Sequence, residues 1–456
     1  MVSPEPSLLL YLFQEGASAP ELPSISFPYL GTRGLTGTVM LIHMFFAQLF
    51  IGFVIGSPIL QSVGARRENV HMQRLSRSLD RFNVLTFSIG ATFAGMFLVL
   101  IVGFYPRVTS ALFTHFFWFF PMLAMGAMTI TLYLLYVYHY RTQRRSIVAG
   151  LGAAFFILVW QAILTGVDTF MVTGGGAGEK AIQSGGDLDS LGSALDSIFN
   201  PMFVPMDLHR TFGNLSWPAY AVAAWAAFMH ARSKRTEDRV FFDWAGSLGV
   251  IWGTVFLLLQ PLGGFAIAYT MKATYQPNAP GVQGTGGPYD RLVGSGPGAD
   301  SFTSNLLYIN LAMVVGLFVL SNVALYVGSG RHPERAGRVP IRFFGLVAAV
   351  AGLYSISPVA DWPFLYMRYI AMLIMVLATL GALVAYVRAR RLFGYGNPGG
   401  SYRAVLLLLG VLATVVTLNM GFIKSNSRVP YTIYGQPQYQ VESEKPITQE
   451  QIQPQP

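Results

Sequence analysis

Long apolar runs separated by short polar stretches dominate the pattern of this 456-residue chain. About 20 consecutive apolar residues are enough for a helix to cross a bilayer. The pattern predicts ten such spans, at 36–60, 82–105, 110–138, 147–168, 204–230, 244–271, 303–328, 342–361, 364–387 and 403–423. Because backbone groups inside lipid must be bonded within their own segment, these runs predict an all-α integral membrane protein.

The basic residues lie mainly in alternate connections between the predicted spans. Loops 60–82, 139–146, 231–242, 329–342 and 388–403 hold 20 of the 30 lysines and arginines. The positive-inside rule places these loops in the cytoplasm and both termini outside. We therefore expect a multi-pass protein of a bacterial-type inner (cytoplasmic) membrane, with periplasmic termini. The net charge of +9 then reflects topology and contact with the lipid bilayer, and no nucleic-acid partner is expected.

Composition supports the membrane interpretation and limits the chemistry. Only 11% of the residues are charged and the mean hydropathy is +0.48, whereas soluble domains carry about 25% charged residues. The chain has no cysteine, which excludes disulfides, iron–sulfur clusters and covalently attached haem. Any cofactor must be held by His, Met or carboxylates. The sequence GGGAG at 174–178 lacks the Lys-Ser/Thr of a phosphate-binding loop.

The predicted organisation has three parts. Residues 1–35 form an outer N-terminal segment, 36–424 a transmembrane haem-binding bundle, and 425–456 an outer motif followed by an extended, Gln- and Pro-rich tail. Residues 1–30 carry no basic stretch ahead of an apolar core, so no cleaved signal peptide is expected. The tail is a candidate docking element for a partner.

Three of the seven histidines, His43, His115 and His209, fall inside predicted spans. Each lies about five to seven residues from the outer helix end, so at 1.5 Å per residue their depths differ by only a few ångströms. The other four, His71, His139, His230 and His332, lie in cytoplasmic loops or at inner helix ends, where interfacial, solvated or lipid-facing positions are expected.

Buried imidazoles need a partner. A hydrogen bond to a neighbouring helix is one explanation for the three histidines; an axial bond to haem iron is the other. Zinc is less suited, since no carboxylate is predicted near them in the membrane. The aromatic stretches FTHFFWFFP and HMFFAQLF suit a macrocycle or simple packing, and Gly37 and Gly52 are expected to leave room. Propionate partners or headgroup anchors are available among the outer basic residues Arg33, Arg107, Arg210, Arg368 and Arg428.

Several stretches resemble subunit I of cytochrome bd quinol oxidases. GTRGLTGTVMLIHMFF, from Arg33 to His43, is similar to the family's first helix, in which an Arg precedes a haem-ligating His by ten residues. PMDLHRTFGNLSWPAY at 205–220 resembles the helix that opens with another haem-ligand His. SNSRVPYTIYG at 425–435 resembles the family's G-R-x-P-W stretch, with Tyr431 in place of Trp.

Two further resemblances are looser. YMRYIAM at 366–372 is similar to the family's Met-bearing helix, which implies Met367 or Met372 as a haem ligand. The outer loop that starts YQP at Tyr275 is placed like the family's quinol-binding loop, so a quinol site near Tyr275, Gln276 and Arg428 is implied.

The departures from the family concern oxygen chemistry. By the apolar pattern, His115 stands where the family has the first of two third-helix glutamates near its oxygen-reducing haem, and Ser425 stands where the family has a haem-ligand Glu. The loop after YQP reads NAPGVQGTGG, without the family's Lys and Glu. The family's last helix is missing, and an extra helical pair precedes the Met-bearing region. With no mid-membrane carboxylate predicted, a proton path is hard to build.

The resemblance and these departures imply a bd-like membrane cytochrome b without oxygen reduction. His43 and His115 would hold one haem b, and His209 with Met367 or Met372 a second. Expected partners are quinone and other membrane and outer-side subunits of a redox complex, such as a cytochrome c. Two alternatives stay open: a working bd-type quinol oxidase subunit, and a haem-free scaffold or transporter. For transport, the only polar signals are Gln161 and Gln260, with Pro261 after the latter.

Overall fold

The computed structural model of the protein describes residues 31–105, 119–138, 144–173, 191–274, 288–294, 301–361 and 366–426. Within these ranges every regular element is helical, with twelve α-helices and two short 3₁₀ turns. The α-helices are α1 Gly31–Arg66, α2 Val70–Phe104, α3 Phe119–Tyr138, α4 Arg144–Thr173, α5 Leu191–Ile198, α6 Phe203–Arg232, α7 Thr236–Thr274, α8 Pro288–Val293, α9 Ser301–Gly328, α10 Arg335–Ser355, α11 Met367–Ala389 and α12 Gly399–Asn426.

The protein is a multi-pass membrane protein. Among the described residues, eight helices are long and apolar enough to span a bilayer: α1, α2, α4, α7 and α9 to α12. Helix α3 contributes a shorter apolar stretch, and α6 is long enough, at 30 residues, but more polar. Each of the ten predicted spans overlaps a described helix, with residues 110–118 of the third span outside the described ranges, and the all-α fold class is confirmed. The connection between the predicted spans 342–361 and 364–387 lies only partly inside the described residues, because they stop at Asp361 and resume at Tyr366.

Helices that follow one another in the chain pack as antiparallel pairs. The closest pairs are α1 with α2, α3 with α4, α6 with α7 and α10 with α11, while α12 packs on α6 and α9. The main core lies among α6, α7, α9, α11 and α12, around the fully buried side chains of Tyr220, Phe318 and Tyr386. A smaller core joins α1, α3 and α4 around Val54 and Tyr136. Helix α7 runs through Pro261 without a break.

The two ends of the bundle differ in their polar contacts. At what we term the basic end, Arg331 after α9 forms an ion pair of 2.5 Å with Asp243 of α7. His230 Nε2, at the end of α6, lies 3.1 Å from the carbonyl oxygen of Gly396. At the opposite end, which we term the His209 end, Asp168 of α4 forms ion pairs with Arg210 of α6 and Lys424 of α12.

Candidate functional site

His43 lies on α1 and faces α2. Its Nδ1 is 2.9 Å from the carbonyl oxygen of Gly90. Because a carbonyl can only accept, Nδ1 must carry the proton, and Nε2 keeps its lone pair. The two helices are close at this point: a Cβ added to Gly90 would lie 3.1 Å from the Cβ of Phe46. A backbone acceptor for one ring nitrogen is the usual arrangement of a metal-ligating histidine, because it fixes both tautomer and ring orientation.

The glycines near His43 do not both provide room. A Cβ at Gly37 would meet nothing within 4 Å, whereas one at Gly52 would lie 2.6 Å from Pro218 Cγ and 2.7 Å from the carbonyl oxygen of Asn214. The expectation of room at Gly52 is therefore wrong, since that glycine lets α1 approach α6. The ring of Phe45 packs on Trp217, with centroids 4.9 Å apart.

His209 lies on α6 and is pressed against α7. A Cβ added to Gly263 would lie 2.9 Å from the Cβ of His209 and 3.1 Å from its Nδ1. Gln260 donates to the backbone carbonyl of His209 at 3.3 Å. Within the described part of the chain, the Nδ1 atom of His209 is buried and has no hydrogen-bond partner. A buried polar atom without a partner costs about 1–3 kcal/mol, so this nitrogen is suited to a partner from outside the described residues.

The close fit at Gly263 leads to a prediction. A Gly263→Ala variant should destabilise the protein by about 1–3 kcal/mol, because the new methyl group forces α6 and α7 apart. Gly37→Ala is the matched control: with open space around it, the change should be neutral or stabilising by up to about 1 kcal/mol. Denaturation of both variants in mixed micelles measures the difference. Equal stability of the two would contradict the packing of His209 on Gly263.

The other predicted ligands are less well placed. His115 and Arg428 lie outside the described residues; Arg33 lies in the first turn of α1, where only the backbone is described. Met367 and Met372 are partly buried on α11, which packs mainly on α10, whereas His209 belongs to the α6–α7 pair. The fully buried methionine of α11 is Met375, which the sequence analysis did not single out. A pairing of His209 with Met367 or Met372 stays a prediction.

Two of the basic residues proposed as propionate partners already have carboxylate partners. Arg210 pairs with Asp168, which also receives Lys424, and Arg210 donates to Thr165 Oγ1 at 3.1 Å. Arg368 forms a 3.0 Å ion pair with Asp361. Arg210 and Lys424 thus share the carboxylate of Asp168, and a second carboxylate, Asp207, lies two residues before His209 on α6.

The expectation of solvated or lipid-facing positions is wrong for His230 and His332, which are 3% and 4% exposed. His230 bonds to the Gly396 carbonyl, and the ring of His332 contacts the backbone of Glu334. His71 is half-buried and packs against Trp244 with ring centroids 5.5 Å apart. His139 lies outside the described residues. Within the described ranges, no group of three or more His, Cys, Asp or Glu side chains could hold a metal ion.

The two glutamines that suggested transport, Gln161 and Gln260, form hydrogen bonds with groups on the neighbouring helix α6. Gln161 of α4 donates to Thr211 Oγ1 at 2.6 Å and to Asp207 at 3.3 Å, and it accepts from Asn214 at 2.6 Å. These contacts tie α4 to α6. Since α7 is also continuous through Pro261, the broken helix typical of transporter sites is not found at this place.

Sequence analysis missed the buried carboxylates of the bundle. Asp80 of α2 is 1% exposed and accepts hydrogen bonds from Ser57 at 2.5 Å and from Tyr133 at 2.7 Å. Ser76, Asp80, Asn83, Thr86 and Gly90 all lie on the buried face of α2. Their spacing of three to four residues is the signal that could have revealed this polar face.

Comparison of the sequence with protein-family models and with curated proteins gives no match. Among solved structures, the chain is similar to a bd oxidase from Geobacillus thermodenitrificans, with 16% sequence identity and a TM-score of 0.45. The similarity covers 87% of this chain and 97% of that chain.

Proposed function

We propose that the chain is a bd-like cytochrome b subunit of a membrane redox complex. It carries electrons between a quinone and an outer-side partner, such as a cytochrome c, through haem b and without reducing oxygen. The observation that supports this most is the ring of His43, which donates from Nδ1 to the Gly90 carbonyl and keeps Nε2 for a ligand. The resemblance of residues 31–46 to a haem-ligating helix points to the same side chain.

Haem, when bound, supplies a one-electron couple between ferric and ferrous iron. The role of the chain is to hold it. His43 provides an oriented nitrogen, because the bond from Nδ1–H to the Gly90 carbonyl fixes the tautomer and the ring. His115 is proposed as a second ligand of the same haem, so that two histidines would hold the iron. His209, with Met367 or Met372, is proposed for a second haem.

Two outer basic residues, Arg33 and Arg428, are proposed as partners of the haem propionates. Quinone is proposed to bind near Tyr275, Gln276 and Arg428. The residues of this quinone site lie outside the described ranges, so that site rests on the sequence resemblance.

Extraction of haem from the purified protein tests the proposal. The protein, isolated from its native membrane, should release one or two b-type haems per chain into acidified organic solvent, because no cysteine can hold them covalently. A preparation that is folded, as judged by helical circular dichroism, and free of haem would refute the proposal. The scaffold interpretation would then remain.

A second candidate, a working bd-type quinol oxidase, is favoured by one observation. The polar face of α2 begins near the basic end and reaches Gly90, whose carbonyl oxygen accepts from His43. Asp80 lies within this face, so a carboxylate that could accept protons is present after all. This candidate predicts quinol-dependent oxygen uptake that falls in an Asp80→Asn variant. The electron-transfer proposal predicts no such uptake in the wild type.

A further inference from the structure

A groove of about 750 Å³ runs between α10 and α11 toward the basic end of the bundle. Its walls are apolar and include Phe344 from α10 with Leu377, Leu380 and Val384 from α11. These four side chains are 37–58% exposed, although they belong to helices that span the membrane. The groove therefore opens sideways, onto the surface that faces lipid, and not into the core of the bundle.

The end of the groove near the helix termini is polar and basic. Arg388 and His332 line it, and Arg388 takes part in no ion pair within the described part of the chain. His332 is only 4% exposed, and its Nδ1 lies 3.0 Å from the carbonyl oxygen and 3.1 Å from the amide nitrogen of Glu334. The Glu334 side chain is not among the groove residues. The guanidinium of Arg388 therefore gives this end of the groove its attraction for anions.

The length of the groove matches one leaflet of a bilayer. Leu377 and Arg388 are 11 residues apart on one helix, which corresponds to about 16 Å at 1.5 Å per residue. The hydrocarbon core of a bilayer is about 30 Å thick, so each leaflet contributes about 15 Å. With the apolar wall in one leaflet, the guanidinium of Arg388 stands at the level of the headgroups.

We propose that this groove binds one anionic phospholipid, with an acyl chain along Phe344 and Leu380 and the phosphate at Arg388. Basic pockets between transmembrane helices are the kind of site that recognises anionic headgroups. The proposal does not depend on haem. It assigns a structural lipid to the α10–α11 pair, whose apolar faces are otherwise only partly covered.

A quinone fits the same groove less well. His230 contacts Gly396 at the basic end, and His209 precedes His230 by 21 residues on α6. The Arg388 end of the groove and His209 thus lie about 30 Å apart along the bundle. A quinone in the groove would be remote from the proposed second haem, and its neutral head would not use the charge of Arg388.

Native mass spectrometry of the full chain, titrated with phosphatidylglycerol or with phosphatidylcholine, tests the proposal. The wild type should retain one phosphatidylglycerol more tightly than phosphatidylcholine. Arg388→Gln should weaken phosphatidylglycerol about fivefold, the size expected for one basic residue at an anionic headgroup. Ala385→Phe, which fills the groove, should remove both lipids. The matched control is Arg391→Gln, an exposed arginine outside the groove, which should change the affinity less than about twofold.

Thermal unfolding provides a second readout that separates binding from misfolding. Phosphatidylglycerol should raise the unfolding temperature of the wild type and of Arg391→Gln, but not that of Arg388→Gln. Without added lipid, the three proteins should unfold at similar temperatures. Equal affinity of Arg388→Gln and the wild type would overturn the proposal. Equal affinity for the two lipids, or a quinone retained in place of lipid, would also overturn it.

Discussion

A His43→Ala variant is expected to purify with one haem b fewer than the wild type, while its helix content stays the same. The reason is that the variant removes the nitrogen that is proposed to bind iron, on a ring that the 2.9 Å contact between Nδ1 and the Gly90 carbonyl orients. The measurement is haem per chain after extraction, together with circular dichroism.

A second substitution separates ligation from packing. The amide of His43→Gln can still donate to the Gly90 carbonyl, but it is a poor ligand for iron. If His43 binds iron, the Gln variant loses haem as the Ala variant does. His71→Ala is the matched control, because His71 is a half-buried histidine that stacks on Trp244, and it should retain all haem. A Gln variant with full haem content would show that His43 is a helix-packing residue.

An Asp243→Asn variant is expected to lose about 3–5 kcal/mol of stability, because it leaves a buried guanidinium without its carboxylate. The side chains of Arg331 and Asp243 are 5% and 0% exposed. Arg331 also donates to the Gly328 carbonyl at 3.0 Å and lies over the ring of Tyr402 at 4.2 Å. Asp243 additionally accepts from the Gly396 amide at 2.9 Å. The pair thus holds α7, α9 and the start of α12 together.

The chain contains a matched surface pair for comparison. Arg74 and Asp238 are also 2.5 Å apart, but their side chains are 39% and 32% exposed. Asp238→Asn should cost no more than about 1 kcal/mol, since exposed ion pairs contribute little. Unfolding in mixed micelles with increasing dodecyl sulfate measures both variants. A similar loss in the two would mean that burial of the Arg331 pair does not carry the stability assigned to it.

The positions of the helices could be predicted from the sequence because membrane spans are long apolar runs. Their ends could not, since a helix continues beyond the bilayer without any apolar signal. The second span was predicted at 82–105, whereas α2 begins at Val70. Asn69 caps it by accepting from the Met72 amide at 3.0 Å. The segment 70–81, which precedes the predicted span, contains Asp80. Because this segment was assigned to a loop, its carboxylate was not predicted to be buried.

The candidate site could be predicted only as a set of residue types. The apolar surroundings identified His43 and His209, but pairing depends on which helices are neighbours, and one sequence does not specify that. The acceptor for His43 is the backbone carbonyl of Gly90, an atom that no sequence pattern marks. Arg210 was proposed for a propionate, yet its carboxylate partner, Asp168, lies 42 residues away on α4.

The most direct test of the proposed function is the reduced-minus-oxidised spectrum of the purified protein, recorded with and without carbon monoxide. The account predicts a b-type spectrum that carbon monoxide leaves unchanged, because two histidines, or a histidine and a methionine, are proposed to hold each haem. A spectrum shifted by carbon monoxide would reveal an open iron position. That result would contradict electron transfer without oxygen chemistry and would favour the oxidase.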